Sequence, residues 1–125
     1  MFARKLIRIF GQVKHQDIEN EARSISNLCV PGGAQNIVGV MKHGWLPRNP
    51  SYYYIDMEYC PKTLEQWLKD IYPLYEPFVL SRFEVQNRVS GVVAVGYQLA
   101  SGLEYIHSHG AVHRDLNPRN GMIPS

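Results

Sequence analysis

The chain has 125 residues, 45% hydrophobic and 19% charged, with 13 basic against 11 acidic residues and a net charge of +2. That makeup excludes a disordered tail and suits an ordinary globular domain, able to bury roughly two thirds of its unfolded surface if its core closes. The cations form no basic block, so no nucleic-acid partner is indicated, and the two cysteines, without C-x-x-C spacing, read as reduced thiols rather than a disulfide or zinc framework.

In chain order, residues 2–10 alternate in the period-2 pattern of a strand, with Lys5 sharing a face with Ala3 and Ile7. The same stretch lacks the apolar core and cleavage site of a secretory signal; a basic amphipathic targeting peptide is its alternative reading. Residues 17–28 form a short amphipathic helix with Ile18, Ala22, Ile25 and Leu28 on its stripe, Asp17 as its cap and Glu21 one position off the stripe. Pro31-Gly32-Gly33 must be a loop. Residues 37–46 and 52–59 read as two strands of a hairpin, joined by a longer turn at residues 47–51.

From Pro61 the pattern becomes helical, with Leu64, Trp67, Leu68 and Ile71 on one face and an end at Pro73. Ser81 and Glu84 have the spacing of a capping box. Behind it Val85, Val89, Val92, Gly96, Leu99, Leu103 and Ile106 mark a long helix that Gly110 stops. Residues 92–103, the longest apolar-leaning stretch, are too few and too interrupted to cross a membrane. The tail after Asn120 looks like the start of a strand. Strands and helices are segregated along the chain, which is an α+β arrangement. His107, His109 and His113 could in principle hold zinc, but His107 and His109 point roughly 200° apart on a helix, so a metal site is not expected there.

The loop after the long helix reads HRDLNPRN, residues 113–120. It resembles the H-R-D-x-x-x-x-N catalytic loop of eukaryotic protein kinases, and "LEYIHSHGAVHRDL" before it is similar to the family's preceding segment. Upstream, Ala3-Arg4-Lys5 resembles the end of the V-A-I-K strand, "QNIVGV" a following strand, and "YIDMEYC" the hinge between the lobes.

The resemblance implies an incomplete kinase-like fold: residues 1–59 a partial N-lobe sheet with one helix, residues 60–125 the hinge and first helices of the C-lobe. It implies ATP and Mg²⁺ as cofactors and a protein substrate or docking partner, with no nucleic acid and no membrane, in the cytoplasm. Asp115 would accept the substrate hydroxyl's proton and Asn120 would hold magnesium. Lys5 would contact the α and β phosphates, with Glu21 as its ion-pair partner. Ala3 would line the nucleotide site, Met57 would be the gatekeeper, and Glu58 and Cys60 would offer backbone groups to adenine. Leu116-Asn117-Pro118 has the L-x-P form of the serine/threonine type.

Asn117 departs from the family, which has a lysine there that helps neutralise the transferring phosphoryl group. An asparagine carries no charge. Neither Gly-x-Gly-x-x-Gly nor D-F-G occurs in these residues, so the chain alone is expected to be inactive or nearly so, as a kinase fragment or as a non-catalytic, pseudokinase-like binding module. Taken singly, Lys5 and Glu21 would be surface charges, Cys60 a small buried hydrophobe and His113 a packing residue.

Overall fold

The structure is a computed structural model that describes residues 1–71 and 82–124. It has two compact units, Met1–Tyr59 and Cys60–Ser125. Strands and helices are combined in the α+β manner that the order of patterns predicts.

The first unit contains β1 (Phe2–Arg8), α1 (His15–Leu28), β2 (Val40–Leu46) and β3 (Asn49–Glu58). The strands form an antiparallel sheet in the order β1-β3-β2. Central β3 is paired on both edges, and residues on both its faces are buried: Tyr53 and Ile55 on one, Tyr54 and Asp56 on the other. Tyr53 and Ile55 join Ala22 of α1 in the core, with Ile7, Ile18, Val40, Trp45 and Met57 packed against it. A register shift between Val40 and Lys42 keeps Val40, His43 and Trp45 opposite Met57, Ile55 and Tyr53. A one-residue bulge does this by skipping Met41, so the apolar side chains stay on the covered face.

On the opposite face Arg4 donates to both Asp56 oxygens, at 2.6 and 2.8 Å. Its guanidinium also lies 4.6 Å from the centre of the Tyr54 ring. These hydrogen bonds hold the Asp56 carboxyl below the usual carboxylate range, against the opposing push of desolvation.

Three boundaries differ from the sequence reading. Helix α1 begins at His15, so Asp17 lies in its first turn, and the cap position falls to Lys14, which makes no side-chain cap bond. Asp17 still meets the positive end of the helix dipole. The hairpin is tighter than predicted, since Leu46 pairs with Asn49 and only Pro47 and Arg48 lie between them. Ile37 and Val38 are not strand. A Cβ on Gly39 would stand 2.6 Å from the Pro31 Cα, so backbone packs against backbone there and the ladder begins only at Val40.

The second unit contains β4 (Lys62–Thr63), α2 (Leu64–Ile71), α3 (Arg82–Ser108) and β5 (Met122–Ile123). The strand-like tail is β5, and it pairs antiparallel with β4. Ser81 and Pro73, predicted to start one helix and end another, lie outside the described residues.

Helix α3 ends at Ser108, and Gly110, with φ 73° in the left-handed region, stands in the turn that stops it. Its covered face keeps Leu99, Leu103 and Ile106 of the predicted stripe but departs from it earlier in the helix. Arg88, Gly91, Val95, Leu99, Gly102 and Ile106 are half-buried or buried, whereas Val85, Val89 and Val92 are exposed. Gly91 sets this face, because the Trp67 ring comes within 3.7 Å of where its Cβ would be. Among the described residues no helix is long and apolar enough to cross a membrane.

Candidate functional site

In the first unit, antiparallel pairing sets Ala3 opposite Met57 and Lys5 opposite Ile55. Ala3, Lys5 and Ile7 therefore share the face that bears the core residues Ile55 and Tyr53. Lys5 brings a cation to a largely apolar face, and its side chain is exposed. Glu21 is exposed on α1, and among the described ion pairs none joins it to Lys5.

The reason lies in the rotation of α1. Glu19 accepts a hydrogen bond from the Trp45 indole at 2.6 Å. Ser26 Oγ lies 3.1 Å from His43 Nε2, whose other ring nitrogen is 2.6 Å from Tyr53 Oη. Glu19 and Ser26 both lie about 100° from Glu21 or more around the helix, so these contacts turn the Glu21 edge outward.

Glu58 is clamped to Gly39 twice, by its backbone N–H on the Gly39 carbonyl and by its carboxylate on the Gly39 N–H, each at 3.0 Å. This fixes the backbone just before Tyr59. Cys60, half-buried, opens the second unit.

In the second unit the HRD loop folds on its own side chains. Arg114 has φ 62°, the left-handed region that non-glycine residues seldom adopt. That turn lets the Asp115 N–H reach His113 Nδ1 at 3.3 Å. One Asp115 oxygen accepts from Asn117 Nδ2 at 2.9 Å, the other from Asn120 Nδ2 at 2.8 Å. Asn120 Nδ2 also donates to the Asp115 carbonyl at 2.8 Å. With its amide nitrogen on two acceptors, Asn120 leaves its side-chain oxygen without a hydrogen bond among the described residues. Such an oxygen, beside an exposed carboxylate, suits a hard divalent cation such as Mg²⁺.

The far end of the loop is fastened to α2. Leu64 N–H donates to the Gly121 carbonyl at 2.8 Å and Glu65 N–H to the Pro118 carbonyl at 2.9 Å. Two of the N–H groups that a helix leaves unpaired in its first turn are thus satisfied by the loop. The loop brings Asp115 and Asn120 together and adds Asn117, whose bond to Asp115 the sequence did not announce. An Asn two residues after an Asp, followed by Pro, was its only signal.

The sequence matches the protein kinase domain family over residues 1–125. The chain belongs to that family. Curated relatives agree: it is 36% identical over 73 residues to the serine/threonine-protein kinase ksp1 of Schizosaccharomyces pombe, covering 58% of this chain and 14% of that protein. To the interferon-induced, double-stranded RNA-activated protein kinase of Rattus norvegicus it is 38% identical over 68 residues, 54% of this chain and 11% of the relative. To the eukaryotic translation initiation factor 2-alpha kinase pek-1 of Caenorhabditis elegans it is 39% identical over 71 residues, 56% of this chain and 6% of the relative. This kinase-domain chain therefore spans a small part of the length of the relatives it matches.

Proposed function

We propose that the chain carries the nucleotide strand and the catalytic loop of a serine/threonine protein kinase, with ATP and Mg²⁺ as cofactors and a protein as acceptor. The observation that carries this reading is the Asp115 carboxylate, exposed and held by two asparagine amides in the HRD loop. In this reading a substrate hydroxyl gives its proton to Asp115 as its oxygen bonds to the γ-phosphorus, and the bridging oxygen leaves with ADP. Asn120 would offer its side-chain oxygen to magnesium, which draws charge from the phosphates when bound. Lys5 would hold the phosphates, Glu21 would pair with Lys5, Ala3 and Met57 would flank the base, and Glu58 and Cys60 would meet it through their backbones.

Two relatives are named as initiation factor 2-alpha kinases. That factor is accordingly the first protein substrate to offer the whole enzyme.

Thermal unfolding with and without Mg²⁺ and ATP tests nucleotide binding, with Lys5→Ala as control. A ligand at a hundredfold excess over its dissociation constant adds about 2.7 kcal/mol to the folded state. A shift in wild type that Lys5→Ala abolishes supports the reading; a transition indifferent to ATP refutes it for this chain.

Asn117 favours a second reading, a non-catalytic module that docks on another protein, because the loop then lacks a cation for the transferring phosphoryl group. Phosphotransfer by the chain that disappears in Asp115→Asn would exclude it.

A further inference from the structure

We propose that Asn117 is a positioning residue, a neutral strut that fixes the Asp115 carboxylate before any nucleotide or metal arrives. The proposal rests on the kinase reading of the loop for its importance, though the geometry stands without it.

The side-chain oxygen of Asn117 accepts the Arg119 N–H at 3.0 Å while its amide nitrogen donates to Asp115 Oδ1 at 2.9 Å. A backbone N–H can only donate and an ionised carboxylate can only accept, so a single orientation of the carboxamide satisfies both neighbours. Asn117 is therefore held by the turn it stands on and transmits that hold to Asp115. The backbone confirms the turn, since the Asn117 carbonyl accepts the Asn120 N–H at 3.0 Å and the Gly121 N–H at 3.3 Å.

With Asn120 on the other oxygen, the carboxylate is gripped at both atoms and cannot rotate without breaking a charge-assisted bond. A carboxylate offers about four acceptor positions, so room remains for a substrate hydroxyl. Asn117 thus supplies orientation, which catalysis by positioning needs, and supplies no charge, which phosphoryl transfer also needs. A lysine here could donate to Asp115 but could not accept the Arg119 N–H, so it would stand free of the turn.

The test is the side-chain amide region of a ¹⁵N spectrum of the chain without nucleotide. Asp115→Ala is expected to move the carboxamide signals of both Asn117 and Asn120. Asn117→Asp keeps an acceptor for Arg119 but removes the donor, and Asn117→Leu removes both; each is expected to move the Asn120 signal toward that of a free carboxamide. Backbone amides of Lys62 and Ile123 report that β4 and β5 stay paired. An Asn120 signal unmoved in both Asn117 variants but moved by Asp115→Ala would overturn the proposal, because Asn120 alone would then orient the carboxylate. An Asn117 signal blind to Asp115→Ala would overturn it too. The kinase reading fails separately, in the absence of any response to Mg²⁺ and ATP.

Discussion

The indole N–H of Trp45 donates to the Glu19 carboxylate at 2.6 Å, and with this bond α1 turns a partly polar face to the sheet. Ile25, on the apolar stripe of the helix, is left 39% exposed, while Ala22 is buried at 4%. One charge-assisted hydrogen bond is worth about 1.5–3 kcal/mol, comparable to burying one isoleucine, so the polar contacts can decide the rotation. Trp45→Phe removes the donor and leaves Glu19 half-buried without it. It is expected to destabilise the first unit by about 1–3 kcal/mol in urea unfolding. Glu19→Gln keeps an acceptor and is expected to lose less; a Trp45→Phe loss that is undiminished in a Glu19→Ala background would show that ring packing, not the bond, is what Trp45 contributes.

The HRD loop was legible in the sequence as a motif, because Asp115 and Asn120 lie within six positions, but the bond from Asn117 to Asp115 was not, since it depends on how the loop turns. The strands β1 and β3 were legible because an alternating pattern has only two faces to choose from. Helix faces were harder. Periodicity tells which residues favour burial, but the partner chooses the face, as Trp67 does by fitting against Gly91 rather than the Val85, Val89 and Val92 row. Ile37 and Val38 read as strand because the close approach of Gly39 to Pro31 joins residues eight apart, beyond any local pattern.

The Arg4 and Asp56 pair predicts acid sensitivity. The Asp56 carboxyl is held below its ordinary value, so folding favours its ionised form. Its contribution is fully present above the unfolded value of about 3.9 and is lost as pH falls through the lower folded value. Asp56→Asn is expected to flatten the decline of stability below about pH 4 measured by denaturant titrations at several pH values. A decline as steep in the variant would assign it to other carboxylates.

Two glycines should respond oppositely to alanine. A Cβ at Gly39 would meet Pro31 Cα at 2.6 Å and the Glu58 carboxylate at 3.0 Å, whereas one at Gly96 in α3 would meet nothing within 4 Å. Backbone cannot yield as a flexible side chain can, so Gly39→Ala is expected to cost about 1–3 kcal/mol. Gly96→Ala is expected to stabilise α3 by about 0.5–1 kcal/mol through helix propensity alone. Thermal unfolding of the two variants beside wild type checks both signs.

The first turn of α2 is closed by a reciprocal box that the sequence reading passed over. Thr63 Oγ1 accepts the Gln66 N–H at 3.2 Å, and Gln66 Oε1 accepts the Thr63 N–H at 2.8 Å. The next two N–H groups, of Leu64 and Glu65, belong to the HRD loop through the Gly121 and Pro118 carbonyls. Cap and loop therefore share one helix end, and loosening the first should loosen the second. Thr63→Val removes the hydroxyl at nearly constant shape and is expected to cost about 1 kcal/mol. It should also speed hydrogen exchange at Leu64 and Glu65, whose partners lie more than fifty residues away in sequence. Gln66→Glu preserves the box and places negative charge at the positive end of the helix, so those two amides are expected to stay protected. If Thr63→Val leaves exchange at Leu64 and Glu65 unchanged, the loop holds α2 by its own carbonyls and the box stabilises only itself.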